Sequence, residues 1–370
     1  MLSDMHECPL SLFAAMTAQR MGKIRIKDIA QIANVSIGTV DRVIHNRGEV
    51  SEATRERIKK LLDQYNYTPD VIASSLALKK QITLGVVMPR LVNEHVFWKL
   101  PQAGVQRALT ELGHYNLSVE SFYFDQFDAG DFTRMVETFP FGKIQGVLFA
   151  PVFQQESVAF IKRCSEEQIP LVLFNSLLEE QSVSSYVGQD AFQSGYVSAK
   201  LINYGMEPRR DVAIVNMSTR KEHYAHIISR EKGFRTFFEE RKDRLDLLVT
   251  IDLNGVEEQY LNNRLEEAFR QYDIAGLFVT NSRVYRVAEF LARKGMMNVR
   301  LVGYDLLPAS IEYLKRDYID FLISQKPEEQ AFRGLHSLFY LVAFNRAPEE
   351  RQLMPIDIIT RENLTYYQTQ

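Results

Sequence analysis

Residues 26–44 space their apolar side chains as two short helices that pack face to face. The positions that carry this pattern are Ile29, Ala33, Val35, Val40 and Val43. Their spacing buries one face of each helix against the other. Asn34 falls between the helices, where the turn usually needs a positive φ that asparagine tolerates. Ser36 then stands where a hydroxyl caps the second helix. The start of the chain is therefore predicted to be a helix-turn-helix.

A third helix is predicted from about residue 52 to 65, with Ser51 as its N-cap. Thr68 and Pro69 supply the cap and first-position proline of a short fourth helix. A two-helix unit followed by a basic third helix lies most often in the major groove of DNA. The same hydrophobic spacing also suits a helical hairpin within some other core.

Charge distinguishes this segment from the remainder of the chain. Residues 20–80 hold 12 Lys and Arg against 7 Asp and Glu, a net charge of +5, whereas residues 81–370 carry a net charge of −6. A basic segment on an acidic body is the electrostatic pattern of a DNA-binding head. The charge therefore favours DNA binding over a hairpin in an unrelated core.

Three blocks of this segment resemble the DNA-binding head of LacI/GalR-type bacterial transcriptional regulators. They are IKDIAQIANVSIGTVDRVIHN, VSEATRERI and NYTPDVIASSLA, in the order and at the spacing of that family. The resemblance implies an all-α head over residues 23–68 and a hinge helix or linker over 69–80. Residues 1–22 are interpreted as a disordered extension, and the start at Met1 or Met21 stays open.

The second helix of the head contains the candidate DNA-reading residues. Ile37 and Gly38 lie at the end that the family turns toward base edges. Gly38 has no side chain to read a base, and Ile37 offers only apolar contact, for example to a thymine methyl group. Arg42, one turn further on, is the candidate for a bidentate contact to guanine. Phosphate-positioning roles are predicted for Ser36, Thr39 and Asn46. A solvated helix face is the alternative for each of them.

The resemblance also gives roles to the predicted hinge helix. Leu76 matches the leucine that wedges between base pairs from the minor groove, and Ala73 matches a small contact between two such helices. Lys79 is placed to reach a phosphate where the helix ends. An ordinary linker is the alternative for this segment.

From residue 82 the chain alternates apolar runs with amphipathic helices. The runs are residues 82–89, 117–124, 145–151, 170–175, 212–217, 274–280 and 300–305. Apolar strands separated by helices predict parallel sheets covered on both faces, and their number favours two doubly wound α/β subdomains.

This layout over residues 81–370 resembles the periplasmic-binding-protein type I body of the same regulators. By that analogy the first subdomain covers 82–204 and 326–346. The second covers 208–324 and 347–364, with a strand near 355–360. The three resulting crossings imply a hinge beside a ligand cleft.

Ligand-binding side chains in open α/β sheets lie just after strand ends. The candidates in such positions are Asn93, Phe97, Trp98, Asn281, Asp305 and Gln325, and the family resemblance adds Arg230. Aromatic rings stack on the apolar face of a sugar, and arginine, amide and carboxylate groups pair with neighbouring hydroxyls. Taken one at a time, each candidate also fits a cap or a loop polar group.

The resemblance adds two roles and one departure in the body. Arg230 matches the arginine that the family points into the cleft. Asp190 matches an acidic residue near the lobe interface, where it couples the lobes rather than holding ligand. Ser282 stands where the family usually has an aspartate.

The sequence predicts a dimeric, cytoplasmic transcription factor, most simply a repressor. Its predicted partners are double-stranded operator DNA and a monosaccharide or sugar derivative, with no cofactor and no metal. The operator, the effector and the direction of its effect on DNA binding stay open. No apolar run approaches the roughly 18–20 residues that cross a bilayer, so no membrane partner is predicted. Cys8 and Cys164 lie far apart, which suits a reducing compartment.

Two other classes of protein compete with this prediction. A transport binding protein would share the body but needs export, and Asp4 and Glu7 precede PLSLFAAMTA where a signal peptide has basic residues. An enzyme is disfavoured because His95, His114 and His223 are scattered, without a nucleophile–base pair or metal spacing.

Overall fold

The computed structural model describes residues 24–44, 50–65, 81–91, 96–178, 181–217, 225–241, 245–253 and 257–368. The chain forms two compact units: residues 1–79 with 344–346, called the head, and residues 80–343 with 347–370, called the body. Several predicted features lie outside the described residues: the extension, the hinge helix, Asn46, Ala73, Leu76, Lys79 and Asn93.

The described part of the head contains three helices around one small core. They are α1 (Ile26–Ile32), α2 (Ile37–Ile44) and α3 (Glu52–Gln64). The buried core residues are Ile29, Ala30, Ala33, Val40, Val43 and Ile58. The predicted helix-turn-helix with a supporting third helix is confirmed.

The polar residues at the helix ends of the head lie where they were predicted, and Ser51 is the N-cap residue of α3, but one of the expected capping hydrogen bonds is not made. Asn34 has the left-handed φ of +51° expected in the turn. Ser36 caps α2, because its Oγ accepts a hydrogen bond from the Thr39 backbone N–H at 3.1 Å. Ser51 does not cap α3 through its side chain. Its hydroxyl donates instead to Oγ1 of Thr54 at 2.8 Å.

Strands and helices alternate through the described part of the body. The strands are β1 (Ile82–Pro89), β2 (Leu117–Phe124), β3 (Gly146–Phe149), β4 (Leu171–Phe174), β5 (Ser185–Gly188), β6 (Arg210–Met217), β7 (Leu245–Leu253), β8 (Ile274–Val279), β9 (Arg300–Tyr304), β10 (Phe321–Ser324), β11 (Arg351–Leu353) and β12 (Asp357–Ile359). The helices are α4 (Lys99–Glu111), α5 (Ala129–Glu137), α6 (Gln154–Glu166), α7 (Ala191–Asn203), α8 (Ala225–Glu239), α9 (Glu258–Gln271), α10 (Val284–Lys294), α11 (Pro308–Lys315), α12 (Pro327–Phe344) and α13 (Thr365–Gln368), with a 3₁₀ turn at Val96–Trp98.

The strands form two sheets, and each sheet is the centre of one lobe. In the first lobe the order is β11-β5-β4-β3-β1-β2, and in the second it is β12-β10-β9-β8-β6-β7. Neighbouring strands are parallel except β10 and β12, which are antiparallel. Two doubly wound α/β lobes are therefore confirmed. None of the helices described is long and apolar enough to span a bilayer.

Two segments lie in the other lobe from the one predicted. α7 falls in the predicted first subdomain, but its Ala199 and Ile202 are buried in the second lobe with Val212 and Phe234. β11 falls in the predicted second subdomain, but it pairs in parallel with β5 of the first sheet. The chain crosses between lobes after β5, after β10 and after β11, so three crossings are present as predicted, but the first and the last lie at other positions than predicted.

α7 and α8 cross in the second lobe at a distance that requires glycine on both helices. A Cβ on Gly195 would lie 1.9 Å from the carbonyl oxygen of Arg230, and one on Gly233 would lie 1.9 Å from that of Phe192. No side chain fits at that separation, so the two backbones touch directly. This contact fixes α8, and with it the position from which the Arg230 side chain extends.

Candidate functional site

A small cavity lies between the lobes and is lined by residues that follow strands of both sheets and by residues of α8. Six of the predicted ligand residues line it: Phe97, Trp98, Arg230, Asn281, Asp305 and Gln325. The space open to the centres of water molecules is about 90 Å³. One water needs about 10–15 Å³ on that measure, so the cavity suits a small molecule rather than a long chain.

The three crossings of the chain meet beside this cavity at Gln189. Its Nε2 donates to the carbonyl of Ser324 at 3.1 Å and to that of Pro355 at 2.9 Å. Gln189 follows β5, Ser324 ends β10 and Pro355 follows β11, so a single amide joins all three crossing segments. The side chain is buried.

Arg230 is held inside the second lobe by a ring and two oxygens. Its guanidinium carbon lies 3.7 Å from the centre of the Tyr304 ring. Its Nη1 donates to the carbonyl of Thr280 at 2.8 Å, and its Nη2 donates to Oε1 of Gln325. The residue is 3% exposed, and its buried Nε has no hydrogen-bond partner among the described residues.

Asp305 follows β9 with a φ of +67°, a region that aspartate and asparagine enter more readily than most residues. It is 1% exposed, and its Oδ2 accepts from Nε2 of Gln325 at 2.8 Å. Burial raises the pKa of its carboxyl group to about 6, against the opposing effect of the Arg230 charge. Its buried Oδ1 has no partner within the described part of the chain.

Gln325 connects these two charged groups through its one side-chain amide. The amide oxygen accepts from Arg230 and the amide nitrogen donates to Asp305. The orientations of the guanidinium and the carboxylate are therefore coupled. Each of these two cavity-lining residues also has one buried atom without a hydrogen-bond partner in the described part of the chain: the donor Nε of Arg230 and the acceptor Oδ1 of Asp305.

Aromatic rings form part of the first-lobe wall. Trp98 is 4% exposed, and its indole N–H donates to Oε1 of Gln126 at 3.1 Å. The Phe97 ring stands perpendicular to the Trp98 ring, with centres 5.0 Å apart. The indole edge is thus fixed by a partner that the sequence analysis did not identify.

Asn281 lines the cavity, but its amide is engaged inside the second lobe. Its Nδ2 donates to the carbonyl of Met217 at 2.8 Å, and its Oδ1 accepts from the Arg283 backbone N–H at 3.1 Å. The guanidinium of Arg283 lies 5.0 Å from the centre of the Phe127 ring in the first lobe. The turn after β8 therefore makes a contact across the cleft.

The sequence analysis did not predict the other polar and aromatic lining residues, which are Gln126, Phe127, Asn175, His226, Ser282, Arg283 and Tyr285. Asn175 ends the apolar run of β4, so the rule of strand ends contained the signal for it. His226 lies in the first turn of α8, away from any strand end.

His226 contacts the opposite lobe. Its Nδ1 lies 2.6 Å from Oγ of Ser176, which follows β4. Burial lowers the pKa of the imidazole to about 3, and the nearby Arg230 charge lowers it further. The ring is therefore neutral in this arrangement.

Asp190 does not line the cavity. It is exposed beside the first crossing, and its Oδ1 accepts from the Gln193 backbone N–H at 2.8 Å. This hydrogen bond caps α7, a local role that the sequence analysis did not foresee.

In the head, α2 carries the predicted DNA-reading residues on its solvent side. Ile37 is 51% exposed, and Ser36, Gly38 and Arg42 are exposed as well. Thr39 is partly buried, and its Oγ1 lies 2.9 Å from Oγ of Ser36. Gly38 and Arg42 stand one turn apart on the same face.

Two family models match the chain. Residues 25–70 match the model described as bacterial regulatory proteins, lacI family, and residues 84–346 match a periplasmic binding protein domain. The first match covers the described helices of the head, and the second covers most of both lobes but ends before β11 and β12.

Curated relatives are transcriptional regulators. The chain is 30% identical to "Probable HTH-type transcriptional repressor ExuR" of Bacillus subtilis, over 52% of this chain and 54% of ExuR. It is 25% identical to the HTH-type transcriptional regulator MalR of Streptococcus pneumoniae, over 76% of this chain and 73% of MalR. The matched stretch thus spans little more than half the length of ExuR.

Solved structures share the fold of the body. A chain described as a LacI transcriptional regulator from Bacteroides fragilis superposes with a TM-score of 0.73 at 27% identity, over 78% of this chain and all of that one. GanP, a glucose-galactose binding protein from Geobacillus stearothermophilus, superposes with a TM-score of 0.67 at 19% identity, over 77% and 99% of the two chains. At that identity the second likeness concerns the fold alone.

Proposed function

Because the chain belongs to the lacI family of bacterial regulatory proteins, we propose that it is a DNA-binding repressor controlled by a small sugar or sugar derivative. The observation that carries the proposal is the pairing, in one chain, of a helix-turn-helix with a two-lobed body. The cavity of that body keeps a buried donor and a buried acceptor without partners in the described residues. Binding, and not chemical conversion of the sugar, is the proposed role.

The head supplies the proposed contact to operator DNA. Exposed Arg42 is suited to a bidentate contact with guanine, and exposed Ile37 to a thymine methyl group. Ser36 and Thr39 hydroxyls are suited to phosphates, although they also bond each other at the start of α2. The net +5 of residues 20–80 predicts that affinity falls steeply with salt, because each phosphate contact releases counterions.

The cavity supplies the proposed contact to the effector. The Nε of Arg230 can donate to one hydroxyl, and Oδ1 of Asp305 can accept from its neighbour. Both groups are held rigidly through Gln325, which favours a ligand whose hydroxyls have a fixed spacing. The Phe97 and Trp98 rings offer an apolar surface to the C–H face of such a ring.

We further propose a cytoplasmic homodimer in which each head reads half of an operator. Residues 69–80 would form the hinge helix, with Leu76 as the wedge, Ala73 at the contact between helices and Lys79 at a phosphate. Closing the lobes around effector would change the spacing of the two hinge helices and so the affinity for DNA. We propose that Asp190, beside the first crossing, takes part in transmitting this change.

The effector half of the proposal is tested by titrating the full chain with monosaccharides, sugar acids and polyols in calorimetry. Arg230→Ala should abolish the binding of whichever sugar the parent binds. Arg293→Ala is the matched control, because this exposed arginine pairs with Glu258 away from the cavity. A sugar that binds the parent and Arg230→Ala equally would refute the assignment of the cavity.

The DNA half is tested on the same preparations by fluorescence anisotropy with operator fragments selected from random sequence. The parent should bind one palindromic sequence, and sugar should change that affinity about 5- to 150-fold, the usual range of allosteric coupling. Failure to select any DNA sequence would refute the proposal of a sequence-specific regulator, whatever the result with sugar. Sugar binding without an effect on DNA affinity would support the assignment of the cavity but would refute the control of DNA binding by sugar.

A further inference from the structure

One hydrogen bond joins the lobes inside the cleft, between side chains that the proposed effector contacts do not use. Oγ of Ser176 in the first lobe lies 2.6 Å from Nδ1 of His226 in the second. Ser176 is 2% exposed, and His226 is partly buried at the cavity wall. A bond of this length is lost when its atoms separate by about 1 Å, so the contact requires the lobes to be closed.

The surroundings of His226 oppose a charged imidazole. Four other titratable or charged side chains among the described residues line the same cavity: Arg230 on its own helix, Arg283 and Tyr285 at the start of α10, and Asp305 after β9. The first-lobe residues described at the cavity are all uncharged. An imidazolium at this position would be desolvated and would be repelled by the Arg230 guanidinium.

We infer that Ser176 and His226 form a latch that holds the cleft closed while the imidazole is neutral. In the open cleft the ring faces water, where an imidazole titrates with its ordinary pKa of about 6.5. In the closed cleft burial and Arg230 lower that pKa to about 3. Protons therefore bind the open state more tightly and shift the chain toward it. The latch concerns the two lobes and needs neither the proposed effector nor DNA.

The two features of the latch have separate consequences. Loss of one net hydrogen bond should lower the closed-to-open ratio about 2- to 10-fold at neutral pH. Titration of the open-state imidazole should lower the ratio about tenfold between pH 7.5 and pH 5.5. Ser176→Ala removes the bond but keeps the titrating ring. His226→Asn keeps an amide near the position of Nδ1 but cannot titrate in this range.

The ratio can be measured by single-molecule energy transfer in the full chain. Cysteines replace Gln155 in α6 of the first lobe and Glu312 in α11 of the second, both exposed positions. Cys8→Ser removes one native thiol. Cys164 is buried with a thiol pKa raised to about 12, so it does not react with the dyes. Excess unlabelled chain prevents transfer between two labelled subunits.

The closed-to-open ratio of the parent should fall about tenfold from pH 7.5 to pH 5.5. Ser176→Ala should start with fewer closed molecules at pH 7.5 and keep the pH dependence, while His226→Asn should lose the pH dependence. Equal closed fractions in the parent and Ser176→Ala at pH 7.5 would overturn the latch. So would a parent whose closed-to-open ratio is the same at both pH values. If His226→Asn titrates like the parent, another group such as Asp305 is responsible and the inference is wrong.

Discussion

Replacing Asp305 by asparagine changes the charge of one buried group while keeping its size and backbone. Asparagine tolerates the φ of +67° at this position at least as well as aspartate. Its amide oxygen can still accept from Nε2 of Gln325, as Oδ2 does at 2.8 Å. Asp305→Asn therefore separates the contribution of the negative charge from that of shape.

The negative charge of Asp305 should lower the free energy of unfolding at neutral pH. Burial raises the pKa of the carboxyl from 3.8 to about 6, which corresponds to roughly 3 kcal/mol of differential stability. Because the folded state holds its proton more tightly, stability falls as the pH rises from about 4 to 6 and then stays level. The variant avoids that loss but leaves an amide N–H where Oδ1 lay. The expected net gain at pH 7.5 is therefore about 1–3 kcal/mol.

Urea titration of the full chain at pH 7.5 and pH 4 measures this difference. Fluorescence of Trp98, the single tryptophan of the chain, reports unfolding of the body and not of the head. Asp305→Asn should have a higher free energy of unfolding than the parent at pH 7.5, and this difference should be absent at pH 4. A variant less stable than the parent at pH 7.5, or an equal difference at both pH values, would refute the argument.

The same substitution should weaken effector binding. A hydrogen bond to a charged partner contributes about 1.5–3 kcal/mol, so affinity should fall about 10- to 150-fold in calorimetry. Higher stability with lower affinity is the pattern expected of a group kept for binding at a cost in stability.

Three further changes test the head and the second lobe. Ser36→Ala should lower the stability of α2 by about 0.5–2 kcal/mol in amide hydrogen exchange, because it removes a cap. Ser51→Ala should stay within about 0.5 kcal/mol, and equal effects would contradict the cap assignment. Gly195→Ala should destabilise the body by about 1–3 kcal/mol or more in urea titration, since its Cβ would meet a carbonyl oxygen at 1.9 Å; a neutral result would contradict that helix contact. Arg42→Ala should weaken operator binding by about 1–3 kcal/mol in anisotropy and should reduce the sequence preference at one base pair. An unchanged sequence preference would exclude a base-reading role for Arg42.

The head could be predicted from its sequence because its determinants are local. Asn34 has its positive φ and Ser36 its capping bond because the chain within a few residues requires them. Ser51 has the right residue type at the right place, yet its hydroxyl bonds Thr54 instead. Residue type alone does not determine whether such a hydroxyl bonds a backbone N–H of the helix or a neighbouring side chain.

The strands of the body could be predicted where they lie in continuous apolar runs of the sequence. All seven predicted runs are strands, and the one predicted near 355–360 is β12. β7 was missed because its sequence LDLLVTIDL interrupts the apolar run with polar residues, as suits the edge of a sheet. β5, β10 and β11 were missed because these short strands lack the longer apolar runs in which β3 and β4, which are no longer than β5 and β10, lie.

Lobe membership could not be predicted because an amphipathic helix fits either sheet. The backbone contact between Gly195 and Arg230 places α7 in the second lobe, and it joins residues on different helices. The pairings inside the cavity are equally distant in sequence. Gln325 bonds Arg230 across 95 residues, and Ser176 bonds His226 across 50. Each strand end could be found separately, but the partners could not.

The arrangement at Gln189 gives a physical reason why a ligand in the cavity would move the lobes. Its amide joins the crossing segments at Ser324 and Pro355, so rotation of one lobe against the other must turn about this point or break two buried hydrogen bonds. Gln325 follows Ser324 directly and holds both Arg230 and Asp305. A ligand that reorients either charged group therefore acts on a residue next to the pivot, where a small displacement produces a large one at the far ends of the lobes. This geometry supports control of DNA affinity through the hinge rather than through a separate pathway across the second lobe.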